Sequence, residues 1–76
     1  MTSREMSTVP ADPKQWTKED VASWLTEKGF QQYAEVFIEH EITGSMLLQL
    51  DRESLAELIP ILAHVLTVHE HIQELK

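Results

Sequence analysis

Four histidines and thirteen acidic side chains are the residues of this 76-residue chain best suited to metal binding or proton transfer, since cysteine is absent. His69-Glu70 opens an H-E-x-x-H pattern, in which two imidazoles four apart on one helical face hold zinc and the glutamate acts as base. The fifth position is Gln73, so the second ligand is missing. His40-Glu41 fails in the same way, with Gly44 at its fifth position. His64 and His71 are about two helical turns apart, roughly 10 Å, too far to share one zinc without further ligands. Ser, His and Asp all occur, but neither a Gly-x-Ser-x-Gly turn nor a Gly-rich phosphate loop accompanies them. The two glycines, Gly29 and Gly44, fall where helices are expected to end. A chain this short does not readily enclose a pocket of about 300 Å³ without hollowing its core. No catalytic, metal-binding or cofactor-binding residue is therefore assigned, and an enzyme is not expected. His69 is expected partly buried, with His64 and His71 exposed.

The charge distribution is more informative. Residues 1–15 balance Arg4 and Lys14 against Glu5 and Asp12, so the whole net charge of −7 lies in 16–76. Between 35 and 57 the acids Glu35, Glu39, Glu41, Asp51, Glu53 and Glu57 face Arg52 alone. Such a surface repels phosphate backbones and attracts basic partners. A solvated face that only aids solubility is the plain alternative. Nucleic-acid binding is not expected, because Lys76 is the only basic residue after Arg52. Membrane-surface binding needs a basic amphipathic face and fails for the same reason. No apolar run approaches the roughly 20 residues needed to cross a bilayer. The N-terminus lacks both the apolar stretch of a signal peptide and the arginines of a transit peptide. Together with the missing cysteines, this leads us to expect an intracellular, cytoplasmic location.

These side chains must be positioned by helices. Residues 1–14, rich in Ser, Thr and Pro, read as a disordered tail ahead of a folded unit at 15–76. Thr17 is the expected N-cap of a first helix, with Asp20 at the capping-box position in place of the usual Glu or Gln, and Trp16 and Val21 at the spacing of a hydrophobic staple. Val21, Trp24 and Leu25 form its apolar stripe, and Gly29 ends it. A second helix carries Phe30, Tyr33, Ala34 and Phe37 until Ile42-Thr43-Gly44 breaks it. A very short third helix at 45–49 points Leu47, Leu48 and Leu50 inward. Asp51 caps a fourth through Leu58, with Leu55 and Leu58 as its stripe. Pro60 suits the first turn of a final helix of about 15 residues, roughly 23 Å. Its expected stripe is Leu62, Leu66, Val68 or His69, Ile72 and Leu75. Helices this short are marginal alone, because an isolated helix under about a dozen residues does not persist in water. They must pack on one another, leaving the surface for function. Tyr33 is expected at the core edge with only its hydroxyl in water, and both tryptophans are expected as core anchors.

The ordered set Trp16-Thr17-Lys18-Glu19-Asp20-Val21, Trp24-Leu25, Gln32-Tyr33, Phe37, Glu41-Ile42-Thr43-Gly44, Leu47-Leu48-Gln49-Leu50, Ser54-Leu55, Leu58 and Ile72-Gln73-Glu74-Leu75-Lys76 resembles the sterile alpha motif (SAM) family over residues 15–76. The resemblance implies an all-α fold, a compact five-helix bundle with a long C-terminal helix. It also implies a non-enzymatic protein–protein interaction module, an adaptor or scaffold that associates with like or unlike SAM domains. Members of this family commonly pair an acidic mid-loop face with a basic end-helix face at the start of helix 5. The resemblance places Glu39, Glu41, Asp51, Glu53 and Glu57 on the first face and Ile59, Pro60, Ile61, His64 and Val65 on the second. The second departs from the family pattern, since Ile59 and Ala63 replace its glycines and Val65 and Thr67 occupy its usual basic positions. The expected partner is thus another SAM domain or a basic protein surface. Self-assembly through the apolar helix-5 start is the alternative, and RNA-hairpin or lipid binding a distant one. Three histidines on the last helix are a further candidate for a positive face that appears near pH 6.

Overall fold

The computed structural model describes residues 10–76. Five helices follow in order: α1 (Lys18–Glu27), α2 (Ala34–Glu39), α3 (Gly44–Leu47), α4 (Arg52–Leu58) and α5 (Leu62–Leu75). Single 3-10 turns precede α1 at Pro13–Gln15 and α2 at Gln31–Tyr33. There is no strand among the described residues. α1 packs on α2 and its leading turn, α4 on α5, and the N-terminal turn on α3.

Local chemistry sets the helix ends. Thr17 Oγ1 accepts from the Asp20 N–H at 3.1 Å, and Asp20 Oδ2 accepts from the Thr17 N–H at 2.9 Å, so the capping box is complete. At the other end of α1, Gly29 adopts φ 89°. Its N–H reaches the Thr26 carbonyl and the Phe30 N–H reaches that of Leu25. This pair of reversed hydrogen bonds is a Schellman motif. α2 ends by the same device, with the Glu41 N–H on Ile38 O and the Ile42 N–H on Phe37 O, both at 2.9 Å. The left-handed residue there is Glu41, at φ 54°. The break therefore comes one residue before the expected Ile42-Thr43-Gly44, and Thr43 caps α3.

Gly44 does not end a helix. It opens α3, and a Cβ there would lie 1.7 Å from Pro13 O and 2.8 Å from Trp16 Cβ. Its N–H donates to Trp16 O at 3.0 Å. The chain before α1 is thereby seated on α3, and Trp16 Nε1–H donates to Pro10 O at 2.7 Å. Residues 10–14, expected in a tail, are thus built into the fold; the expectation for 1–9, with Thr2, Ser3, Ser7 and Thr8, lies outside the described residues.

The core comprises Trp16, Val21, Trp24, Leu25, Phe30, Tyr33, Phe37, Ile42, Leu47, Leu55, Ile59, Val65, Val68 and Ile72. Two expectations about its last part are corrected. Pro60 is not in the first turn of α5. It follows Ile59, which is extended as residues before proline are, and Ile61 is extended too. Helix α5 begins at Leu62 and buries Val65, Val68 and Ile72, while Leu62 and Leu66 are 70% and 45% exposed. The extended 59–61 link rotates the helix away from the Leu62/Leu66 stripe and drops Ile59 into the core.

Candidate interaction surfaces

Glu39 ends α2 and Glu41 follows it in the Schellman turn, so one turn presents both carboxylates, each exposed. Asp51, Glu53 and Glu57 occupy the N-cap and body of α4, also exposed. Glu53 and Glu57 are four apart and share a face of that helix. Among the described residues, none of these carboxylates lies within 4 Å of a Lys, Arg or His nitrogen. Between the two groups in the chain lies Met46 on α3, 46% exposed, an apolar surface residue without a sequence signal.

Asp51 has a second task. Its Oδ1 accepts from the Ser54 N–H at 2.8 Å. The Ser54 backbone and hydroxyl hydrogen bonds hold its carboxyl below the ordinary value of 3.8, with a smaller contribution from His69. A depressed carboxylate pKa contributes stability that is full above the unfolded value and is lost as pH falls through the folded one. Asp51→Ala is expected to be less stable than the parent chain at neutral pH, with a gap that closes as pH falls below 3.8. Urea titrations across the acid range check this; a constant gap would show that the cap does not depend on charge.

The start of α5 differs from the expected end-helix face. Ile59 and Val65 are 1% and 3% exposed and belong to the core, so neither offers a side chain to a partner. What remains is Pro60, Ile61 and, with them, Leu62 and Leu66, which periodicity had assigned to the interior. No side chain caps this helix and no acid stands in its first turn. His64 is not exposed: its ring is half-buried, with Nδ1 2.6 Å from the Tyr33 hydroxyl. His71 is likewise half-buried, edge-on to Trp24 and near Glu74. His69 lies beside Gln73, whose Nε2 is 3.3 Å from the imidazole Nε2, where a second ligand of the zinc pattern would stand. Among the described residues no three His, Asp or Glu side chains are grouped to hold a metal ion. An open groove lined by Thr26, Gln31, Gln32, Ala34, Glu35 and Ile38 borders α2 and carries no convergent titratable group beyond Glu35. No helix among the described residues is long and apolar enough to cross a membrane.

A model of the family described as SAM domain (Sterile alpha motif) matches residues 14–76. Diacylglycerol kinase eta of Mus musculus is 39% identical over 62 residues, 80% of this chain and 5% of that protein. Sterile alpha motif domain-containing protein 1 of Homo sapiens is 40% identical over 63 residues, 82% of this chain and 12% of that protein. The chain thus spans a small fraction of the relatives it matches. Among solved structures, the Scm-SAM and Sfmbt-SAM heterodimer is similar with a TM-score of 0.79 and 25% identity, covering 83% of this chain and 91% of the matched one.

Proposed function

The chain belongs to the SAM family, and on that premise we propose that it is a non-enzymatic adaptor whose acidic mid-loop face binds a basic end-helix surface on another SAM domain. Domains of this family are protein-interaction modules, and a solved neighbour pairs two of them. The observation that carries the acidic reading is Glu41. A non-glycine residue in the left-handed region costs about 1 kcal/mol or more, and Gly would serve the turn better. The left-handed turn carries an exposed carboxylate two residues after Glu39, and strained residues cluster where function constrains them. Glu53 and Glu57 on α4, with Asp51 at its cap, extend the same sign of charge.

A second reading is self-assembly through Ile61, Leu62 and Leu66, since neighbouring exposed apolar residues mark interfaces. The two differ in salt dependence. A SAM domain with a basic helix-5 start is the probe, measured by sedimentation alone and with this chain at low and high salt. Binding is expected to weaken with salt and to fall by roughly tenfold in Glu39→Lys or Glu53→Arg, as for a close charge pair turned repulsive. Charge reversals that leave binding untouched would remove the acidic reading. Salt-independent self-association of this chain alone would establish the apolar one.

A further inference from the structure

We infer that the start of α5 carries a pH-sensitive latch: neutral His64 ties the first turn of α5 to the turn before α2, and protonation of its imidazole releases that turn with the Ile61, Leu62 and Leu66 patch. The regulatory meaning rests on reading the α5 start as a partner surface; the latch itself does not.

Tyr33 and His64 are 31 residues apart in sequence, and one hydrogen bond of 2.6 Å joins them. Tyr33 is 6% exposed and the imidazole is half-buried. The ring stands edge-on to Phe30 and Tyr33, with centroids at 5.2 and 5.6 Å. A neutral imidazole with a bare Nδ1 accepts the hydroxyl proton, the sense in which protonation changes the bond. The imidazolium has donors only. Nδ1 then takes the Tyr33 oxygen as acceptor and turns the hydroxyl proton away. Among the described residues the Tyr33 hydroxyl has no other side-chain or backbone partner, so its donor is left without one in the protein. His64 is also the third residue of α5, in the turn where the helix dipole opposes a cation.

The charged groups on the elements around His64 are few, and α4, packed on α5, carries Arg52, Glu53 and Glu57 with Asp51 at its cap, all exposed. The turn before α2 offers Gln31, Gln32 and Tyr33, and the end of α1 has Glu27 and Lys28, both exposed. Among the described residues no carboxylate lies within 4 Å of His64. On α5 itself the first turn has no acid; further along, Glu74 is taken by His71 at 3.4 Å.

The His64 and Val65 amides both donate to the Ile61 carbonyl and report on the first turn. Hydrogen exchange of the whole chain, corrected for intrinsic rates, is compared at about pH 7.5 and about pH 5.5. Protection of these two amides is expected to fall roughly tenfold at the lower pH, while that of Ile72 holds. His64→Gln should abolish the difference and His71→Gln should retain it. Tyr33→Phe should lower first-turn protection already at the higher pH. Equal pH dependence in the parent chain and His64→Gln, or none in either, overturns the latch. That failure would leave the acidic partner reading intact, and charge reversals without effect on binding would leave the latch intact.

Discussion

Gly44→Ala is expected to destabilise the domain by roughly 3 kcal/mol, the upper part of the usual range for overpacking a well-filled site. The added carbon would sit 1.7 Å from the Pro13 carbonyl oxygen and 2.9 Å from its carbon. These are backbone atoms, with no rotamer to turn aside. Relief requires the chain before α1 to lift from α3, which removes the Gly44–Trp16 hydrogen bond and loosens the Trp16 ring. Intrinsic propensity argues the other way, since alanine is favoured over glycine in a helix by about 1 kcal/mol. Packing and propensity thus predict opposite signs, and a urea titration decides. A domain of this size has on the order of 5 kcal/mol in hand, so the loss should be evident as a large fall in the midpoint. A variant as stable as the parent would show that the N-terminal turn does not press on α3.

The contrast between the two glycines explains what was legible in the sequence. Gly29 is legible because a C′ glycine acts through its own backbone, a local requirement that local sequence announces. Gly44 acts through an atom 31 positions away, and no window of sequence contains both partners. The caps at Thr17 and Asp51 were legible for the same reason as Gly29, since each satisfies an N–H three residues on. The Pro10–Trp16 bond has no sequence signal, because the Pro- and Ser-rich composition before Gln15 resembles a tail. Glu41 was named for its charge, with no sign in the sequence that it would occupy a left-handed turn.

The two faces differ in the same sense. Carboxylates are almost never buried without partners, so a count of charges finds the exposed acids without knowing the fold, and all five candidates are exposed. Apolar residues carry no such guarantee. Ile59, Ile61, Leu62, Val65 and Leu66 are chemically alike, and the choice of which face outward depends on where the extended link hands over to α5. Two acceptable stripes, Leu62/Leu66/His69 and Val65/Val68/Ile72, run along one helix. The fold selects the second, which leaves the larger leucines for the surface.

That selection yields a sharp pair of expectations at adjacent positions. Val65→Glu should destabilise the domain by roughly 3–5 kcal/mol, the cost of an uncompensated charge in an apolar interior. Val65 is 3% exposed and sits among core residues with no cation within the cluster. Leu66→Glu should cost within about 1 kcal/mol, because glutamate and leucine have similar helix propensity and surface changes are mild. Leu66 is 45% exposed, so its new carboxylate remains hydrated. Thermal unfolding of the two variants side by side tests the register of α5 directly. If Leu66→Glu proved the damaging change and Val65→Glu the mild one, the helix would be turned by about 100° from the arrangement described, the step between consecutive residues at 3.6 per turn. The apolar surface at the α5 start would then be interior, and the reading of it as an interface would fall with the register. If the expected order holds, Leu66→Glu becomes the cleaner probe of that surface, since it alters the exposed face while leaving the fold in place.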